Sequence, residues 1–149
     1  MEKFDLIVLG GGPGGYVAAI RGAQLGLKTC IIEKDELGGI CLNWGCIPTK
    51  ALLKNAEVFH YIKNSEKFGI NVENISIDFK RNIKRSRDVA KRLSKGIEFL
   101  IKKNNIKHYS GFGKLVSNKE IEIFDGDKKF LLEAKRVLKP GGKFLCLSR

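Results

Sequence analysis

An apolar run that ends in glycines and passes straight into a helix is compatible with few folds. Phe4-Asp5-Leu6-Ile7-Val8-Leu9 is apolar and β-branched enough for a buried parallel strand, and Gly10-Gly11-Gly12-Pro13-Gly14-Gly15 follows at once. Gly10, Gly12 and Gly15 fit the pattern G-x-G-x-x-G. In such a pattern the glycines give a tight turn, close backbone approach to a pyrophosphate, and close packing of helix on sheet. The helix they open, over about 14–25, carries Val17, Ala18, Ala19, Ile20 and Ala23 and stops at Gly26. Its first N–H groups, from Gly14 onward, point at an anion. A second strand, Thr29-Cys30-Ile31-Ile32, ends at Glu33. That acid stands close to the spacing, about 20 residues on, at which a carboxylate takes a ribose hydroxyl. It also disfavours a 2′-phosphate. Strand, turn, helix, strand and acid in this order predict an α/β fold with a nucleotide site. A class I methyltransferase shares the turn and the distant acid, so these features alone leave it open.

A second segment narrows the chemistry: Gly39-Ile40-Cys41-Leu42-Asn43-Trp44-Gly45-Cys46-Ile47-Pro48-Thr49-Lys50. In a regular helix positions i and i+5 lie too far apart for a disulfide, whose Cα atoms are usually about 4.4–6.8 Å apart. A bridge from Cys41 to Cys46 therefore needs a distorted turn, and Gly45 supplies backbone freedom beside Cys46. Pro48 is tolerated in a first helical turn and not deeper, so a helix is predicted to start near Cys46 or Ile47. Thiols at a helix N-terminus have lowered pKa values. Two buried, unpaired cysteines are the plainer alternative. A zinc site has little support, because Cys30 and Cys146 are remote in sequence and no His is near the pair. A dinucleotide turn followed by a redox-spaced pair implies electrons moving between a cofactor and two thiols.

Together V-L-G-G-G-P-G-G-Y-V-A-A and L-G-G-I-C-L-N-W-G-C-I-P-T-K-A-L-L resemble the N-terminal FAD domain of the dihydrolipoamide dehydrogenases, within the flavin disulfide reductase family. Leu42, Trp44, Ile47 and Thr49 favour that branch over the glutathione and mercuric reductases. The resemblance spans residues 1–135 and sets the methyltransferase reading aside. It implies a Rossmann-like FAD-binding domain with a parallel sheet, helices and a three-stranded antiparallel meander, here truncated. It implies FAD as cofactor, with NAD used only by the full-length family. Gly10, Gly12, Gly14 and Gly15 would hold the pyrophosphate and Glu33 the ribose. The segment through Lys34, Gly38, Gly39, Ile40 and Cys41 would wrap the cofactor. Cys46 would be the thiol next to the flavin, Cys41 the thiol that exchanges with the lipoyl sulfur, and Lys50 a neighbour of the flavin N5 edge. Gly113 would match a backbone contact to the adenine. The implied partners are the lipoyl domain of a 2-oxoacid dehydrogenase complex and, in the full-length family, a second copy.

The 149 residues carry a net charge of +12. Much of it lies in Lys80, Arg81, Lys84, Arg85, Arg87, Lys91, Arg92, Lys95, Lys102 and Lys103. Ile83, Val89, Leu93, Ile97, Leu100 and Ile101 run through the same stretch as a helical apolar stripe. A solvated basic face is expected there in preference to nucleic-acid binding. The chain shows no signal-peptide pattern and no apolar run of about 18 residues, so a cytoplasmic chain without a membrane span is expected. In that compartment a disulfide is catalytic more often than structural. Residues 51–59 should continue the helix from the cysteines, and 106–110 should form another parallel strand. Lys114–Val116, Glu120–Phe124 and Lys129–Glu133 read as the meander, with Asp125-Gly126-Asp127 as a turn. Cys30 reads as core. His60 and His108 are isolated.

From Arg136 to Arg149 the chain departs from the resemblance. Arg136-Val137-Leu138-Lys139-Pro140-Gly141-Gly142 is similar to a segment of the quinone-biosynthesis methyltransferases that lies away from their methyl-donor site. A fusion or a frameshift would produce such a junction. On this reading residues 1–135 are the FAD-binding domain and 136–149 a foreign tail. The NAD motif and the interface domain that bears the family's His–Glu base are then missing, and independent turnover is not expected. A stand-alone flavin or thiol redox module is the alternative.

Overall fold

Asp5 divides the first apolar run into two strands that join different sheets. A computed structural model of the chain describes residues 2–125 and 128–134. In it β1 (Glu2–Phe4) and β2 (Leu6–Leu9) replace the single strand expected over 4–9. The Asp5 N–H donates to the Lys28 carbonyl at 2.9 Å, and the Lys28 N–H donates to Asp5 Oδ2 at 3.0 Å. With its backbone and side chain both tied to Lys28, Asp5 carries the chain from one ladder to the other.

Helix α1 (Pro13–Gln24) follows β2, then β3 (Thr29–Glu33), α2 (Gly39–Asn43) and α3 (Cys46–Lys63). A 3₁₀ turn (Ser65–Phe68) and a long helix α4 (Phe79–Lys103) lead to β4 (Lys107–Ser110). The chain continues through β5 (Phe112–Leu115), β6 (Glu120–Asp125) and β7 (Lys128–Ala134). One sheet is parallel, in the order β2-β3-β4, with Leu6 opposite Thr29 and Cys30 opposite Lys107. The other has the order β1-β7-β6-β5. Its β5-β6-β7 part is the expected antiparallel meander, and β1 adds to it in parallel register. Gly126 and Asp127, expected as a turn, lie outside the described residues, as do Cys146 and the whole 136–149 tail.

The described residues of 1–39 and 94–149 form one compact unit, and Ile40–Leu93 form another. In the first unit Phe4, Ile7, Cys30, Ile32, Ile121 and Ile123 make one apolar cluster drawn from both sheets. The near-continuous burial of β3 is that of a strand covered on both faces. Lys107 Nζ and Tyr109 OH both donate to Glu2, the latter at 2.7 Å, so β4 is also tied to β1. These donors hold the Glu2 carboxyl below its ordinary range.

In the second unit α3 runs to Lys63, past the expected end at Phe59. It continues because Tyr61 and Ile62 carry no breaker and Asn64 then caps it, donating to the His60 carbonyl from both backbone and side chain. The segment 70–78 between the 3₁₀ turn and α4 has no regular secondary structure and is exposed. Along α4 the basic side chains from Lys80 to Lys103 are exposed. Of the apolar stripe Ile97 and Ile101 are buried, whereas Ile83, Leu93 and Leu100 remain in part exposed. Among the described residues no helix is long and apolar enough to cross a membrane.

Candidate functional site: the glycine turn and the cysteine turn

The three pattern glycines differ in what they do. Gly10 has φ of 102°, a conformation that side chains with a Cβ rarely adopt, and its N–H donates to the Ile32 carbonyl at 2.8 Å. Gly15 is buried, and a Cβ there would fall on the Gly10 carbonyl oxygen. This contact lets α1 start directly against the end of β2. Gly12 has φ of −68°, and a Cβ on it would meet nothing within 4 Å. Packing therefore accounts for Gly10 and Gly15 and leaves Gly12 unexplained. Open space before a helix N-terminus is what an approaching anion needs. Pro13 occupies the first helical position, where its missing N–H costs nothing, and no side chain caps the helix. Gly14, next in the turn, is exposed.

Glu33 sits at the end of β3 with both carboxylate oxygens facing backbone donors. Gly11 N–H donates to Oε2 at 2.6 Å and Asp35 N–H to Oε1 at 2.9 Å. The acid is thereby fixed beside the glycine turn and keeps lone pairs for further donors. Gly38 N–H donates to the Gly11 carbonyl at 2.8 Å, which brings the following loop back to the turn. Gly39 has φ of 65°, and a Cβ on it would meet Gly12 Cα at 2.8 Å. The Leu37 carbonyl accepts from the buried Ser94 hydroxyl at 2.9 Å. Ser94 had no sequence signal, because an isolated serine in a basic helix looks like surface. Lys34 is exposed and lies 4.0 Å from Asp35. For Gly113 the structure offers a packing reason: a Cβ there would run into Leu9 and Ile32.

In the second unit Cys41 and Cys46 are bridged, with Cα atoms 4.7 Å apart. Cys41 lies inside α2, so the turn between the cysteines is a short helix that breaks at Trp44 and Gly45 rather than an irregular loop. The Trp44 N–H closes it on the Ile40 carbonyl at 2.9 Å. A Cβ on Gly45 would press within 3.1 Å of that same carbonyl oxygen and 3.2 Å of Cys41 Cα. A side chain beside the second cysteine would crowd this turn. Cys46 is the first residue of α3, as the position of Pro48 predicts. Cys46 is exposed and Cys41 half-buried; Lys50, one turn further on, is exposed, as are Ile40 and Trp44.

Cys30 behaves oppositely. It is fully buried as a free thiol in β3, and burial pushes it up to about 12. Both histidines are exposed; burial lowers His108, against the pull of Glu98 and Glu33. Among the described residues no cluster of three or more His, Cys, Asp or Glu stands ready for a metal. The sequence-predicted residues thus gather into two sets. Gly10, Gly12, Gly14, Gly15, Glu33, Lys34, Gly38, Gly39 and Gly113 belong to the first unit. Ile40, Cys41, Cys46 and Lys50 belong to the second.

Comparison with known proteins agrees with this geometry. The family model described as pyridine nucleotide-disulphide oxidoreductase matches residues 4–139. The dihydrolipoyl dehydrogenase of Zymomonas mobilis is 52% identical over 139 residues, covering 92% of this chain and 30% of that protein. The enzyme of the same name from Chlorobaculum tepidum is 46% identical over 162 residues, and that of Bacillus subtilis 40% over 145. The chain therefore spans about a third of the length of these relatives. Among solved structures, the Cu(II) complex of the HOCl-induced flavoprotein disulfide reductase of Escherichia coli superposes with a TM-score of 0.71. It is 24% identical and covers 90% of this chain and 27% of its own. That likeness bears on the fold, which is the Rossmann-like fold expected from the sequence.

Proposed function

We propose that this chain, which belongs to the pyridine nucleotide-disulphide oxidoreductase family, binds FAD at its glycine turn and exchanges electrons through the Cys41–Cys46 disulfide. In this it acts as the flavin-side portion of a dihydrolipoyl dehydrogenase. The observation that carries the reading is the bridge itself: two cysteines with Cα atoms 4.7 Å apart, the second exposed at the start of an 18-residue helix. A structural disulfide gains nothing from that position, whereas a reactive thiol does.

The residues present fit a dinucleotide. Gly12 is a glycine that packing does not require, at an uncapped helix start, and Glu33 is held beside it with acceptor capacity to spare. On this reading the N–H groups after Gly12, Gly14 and Gly15 among them, bind the pyrophosphate, and Glu33 accepts from a ribose hydroxyl. Lys34, Gly38, Gly39 and Ile40 follow the cofactor toward Cys41, and Gly113 gives the adenine a backbone neighbour. Bound FAD supplies a two-electron carrier that can exchange with a thiol pair and with a nicotinamide. Cys46 is the thiol assigned to the flavin side and Cys41 the one that attacks or releases a substrate sulfur. Lys50, one turn into α3, is the side chain assigned to the flavin edge. The substrate class is a dithiol of the dihydrolipoamide type, presented by a lipoyl domain. NAD, a second copy of the chain and a cytoplasmic location belong to the whole enzyme on this reading.

Anaerobic dihydrolipoamide added to the FAD-loaded chain is expected to bleach the flavin absorbance, and Cys46→Ser is expected to block the bleaching. Equal bleaching in that variant would overturn the assignment. Assayed by themselves, these 149 residues are not expected to couple lipoamide to NADH. Neither His60 nor His108 matches the family's general base, and removing a positioned base alone costs about 10²–10⁴ in rate. Lipoamide-dependent NADH oxidation by the chain, abolished by Cys46→Ser, would contradict this.

A further inference from the structure

The cysteine turn is held from outside by α4. Helix α2 has five residues, too few to satisfy its own last carbonyls. The carbonyl of Asn43, its final residue, accepts from Arg87 Nη1 at 3.3 Å, across 44 residues of sequence. Two positions earlier on α4, Arg85 Nη1 donates to the Ala51 carbonyl at 3.0 Å and to Asn55 Oδ1 at 3.1 Å. One guanidinium thus reaches the helix that starts at Cys46, and the other reaches the turn that carries Cys41.

We propose that Arg87 is a positioning residue for the Cys41–Cys46 pair: it locks the turn between the cysteines and favours the Cys41 thiolate once the bridge opens. This rests on the reading of the pair as a redox couple. The two sulfurs have different local fields. Cys46 stands at the first residue of α3, where the helix dipole favours a thiolate. Cys41 stands two residues before the C-terminal end of α2, where the orphan carbonyls disfavour one. A guanidinium on the last of those carbonyls opposes that field. Asn43 is two residues from Cys41 on the same short helix, so the guanidinium bonded to its carbonyl acts at the end of α2 that carries the thiol. Arginine stays charged at every working pH.

Opening the bridge breaks one S–S bond and takes two electrons. Dithiothreitol supplies them and leaves as its cyclic disulfide. Its two thiol protons go to the two protein sulfurs, or one goes to solvent when Cys41 is released as a thiolate.

The test uses the 149-residue chain, with dithiothreitol equilibrium and pH-dependent iodoacetamide labelling of each cysteine read by peptide mass mapping. Arg87→Gln is expected to move the Cys41 labelling midpoint up by about one pH unit, a tenfold change, and to shift the equilibrium toward the disulfide. Arg87→Lys should recover most of both. Lys84→Gln, which removes the same charge from an exposed pair with Asp88, should move neither. In the wild type, high salt should raise the Cys41 midpoint more than that of Cys46. Unchanged Cys41 labelling in Arg87→Gln, an equal shift in Lys84→Gln, or no salt response in the wild type would overturn the proposal. A wild-type mass map without a Cys41–Cys46 bridge would sink the redox reading itself, before any variant is compared.

Discussion

Helices α1 and α3 both begin without a side-chain cap, and they begin in different surroundings. Helix α1 starts after Gly12 with Pro13 in its first turn, and α3 starts after Gly45 with Pro48 in its first turn. Ser, Thr, Asp or Asn at the Gly12 cap would satisfy one of the orphan N–H groups at a gain of only about a few tenths of a kcal/mol over glycine, and at Gly45 a Cβ would crowd the Ile40 carbonyl. Glycine at both leaves the donors to something else. At α1 the space beyond the cap is open and suits an external anion. At α3 the first residue is itself the cysteine, so the field acts on a sulfur of the chain. On the proposed reading one physical device, an uncapped positive helix end, would serve binding in one unit and reactivity in the other.

The largest expected effect breaks the second half of the comparison outright. Oxidised wild-type protein should show one internal bridge, Cys41 to Cys46, opened by a mild dithiol, with Cys30 free. Cys46→Ser should show none. A bridge from Cys30 or Cys146 to either cysteine would mean that the exposed helix start is not what sets the pairing.

The next contrast separates packing from binding within the first helix start. Gly15→Ala places a Cβ on the Gly10 carbonyl and should cost at least about 2–3 kcal/mol in denaturant unfolding. Gly12→Ala enters open space at an ordinary φ and should change stability by less than about 1 kcal/mol. Equal losses would show that Gly12 is also a packing glycine.

Cys30 sharpens the comparison by supplying a thiol with neither exposure nor a helix end. Its folded value of about 12 lies above the ordinary thiol range, so the native state holds its proton longer than the unfolded chain does. Stability from this group is complete below about pH 8.5 and is lost as pH rises toward 12, by up to about 1.4 kcal/mol per unit. Unfolding curves of wild type and Cys30→Ala should therefore converge with rising pH. Parallel curves would contradict the burial argument.

The smallest effect is expected where α4 carries its charge into solvent. Lys84 and Asp88 form an i,i+4 pair with both side chains largely exposed. Lys84→Ala should change stability by less than about 0.5 kcal/mol. A larger loss would mean that this face is packed against something.

Much of this was readable from residues 6–15 and 39–50, because those segments impose backbone conditions that only a few residue types meet. The turn at Gly10, the helix from Pro13, the acid at the end of β3 and the helix start at Cys46 all follow from local rules. The meander was readable from alternation. What was not readable depends on distant partners. Nothing within residues 4–9 says that the chain changes sheets at Asp5, because the reason is Lys28. Nothing near Ser94, Arg85 or Arg87 says that they reach Leu37, Ala51 and Asn43, because side-chain bonds over tens of residues leave no periodic trace. Gly113 was assigned a cofactor contact by resemblance, and its neighbours Leu9 and Ile32 supply a packing reason that sequence spacing cannot reveal.

The most direct test of the account is flavin retention by Gly12→Val. Both proteins are incubated with FAD, passed through a desalting column, and compared by flavin absorbance and circular dichroism. The account predicts that wild type retains flavin, whereas the variant keeps its fold and loses the flavin. A folded Gly12→Val protein with the wild-type flavin content would contradict the claim that this open helix start is where the cofactor binds.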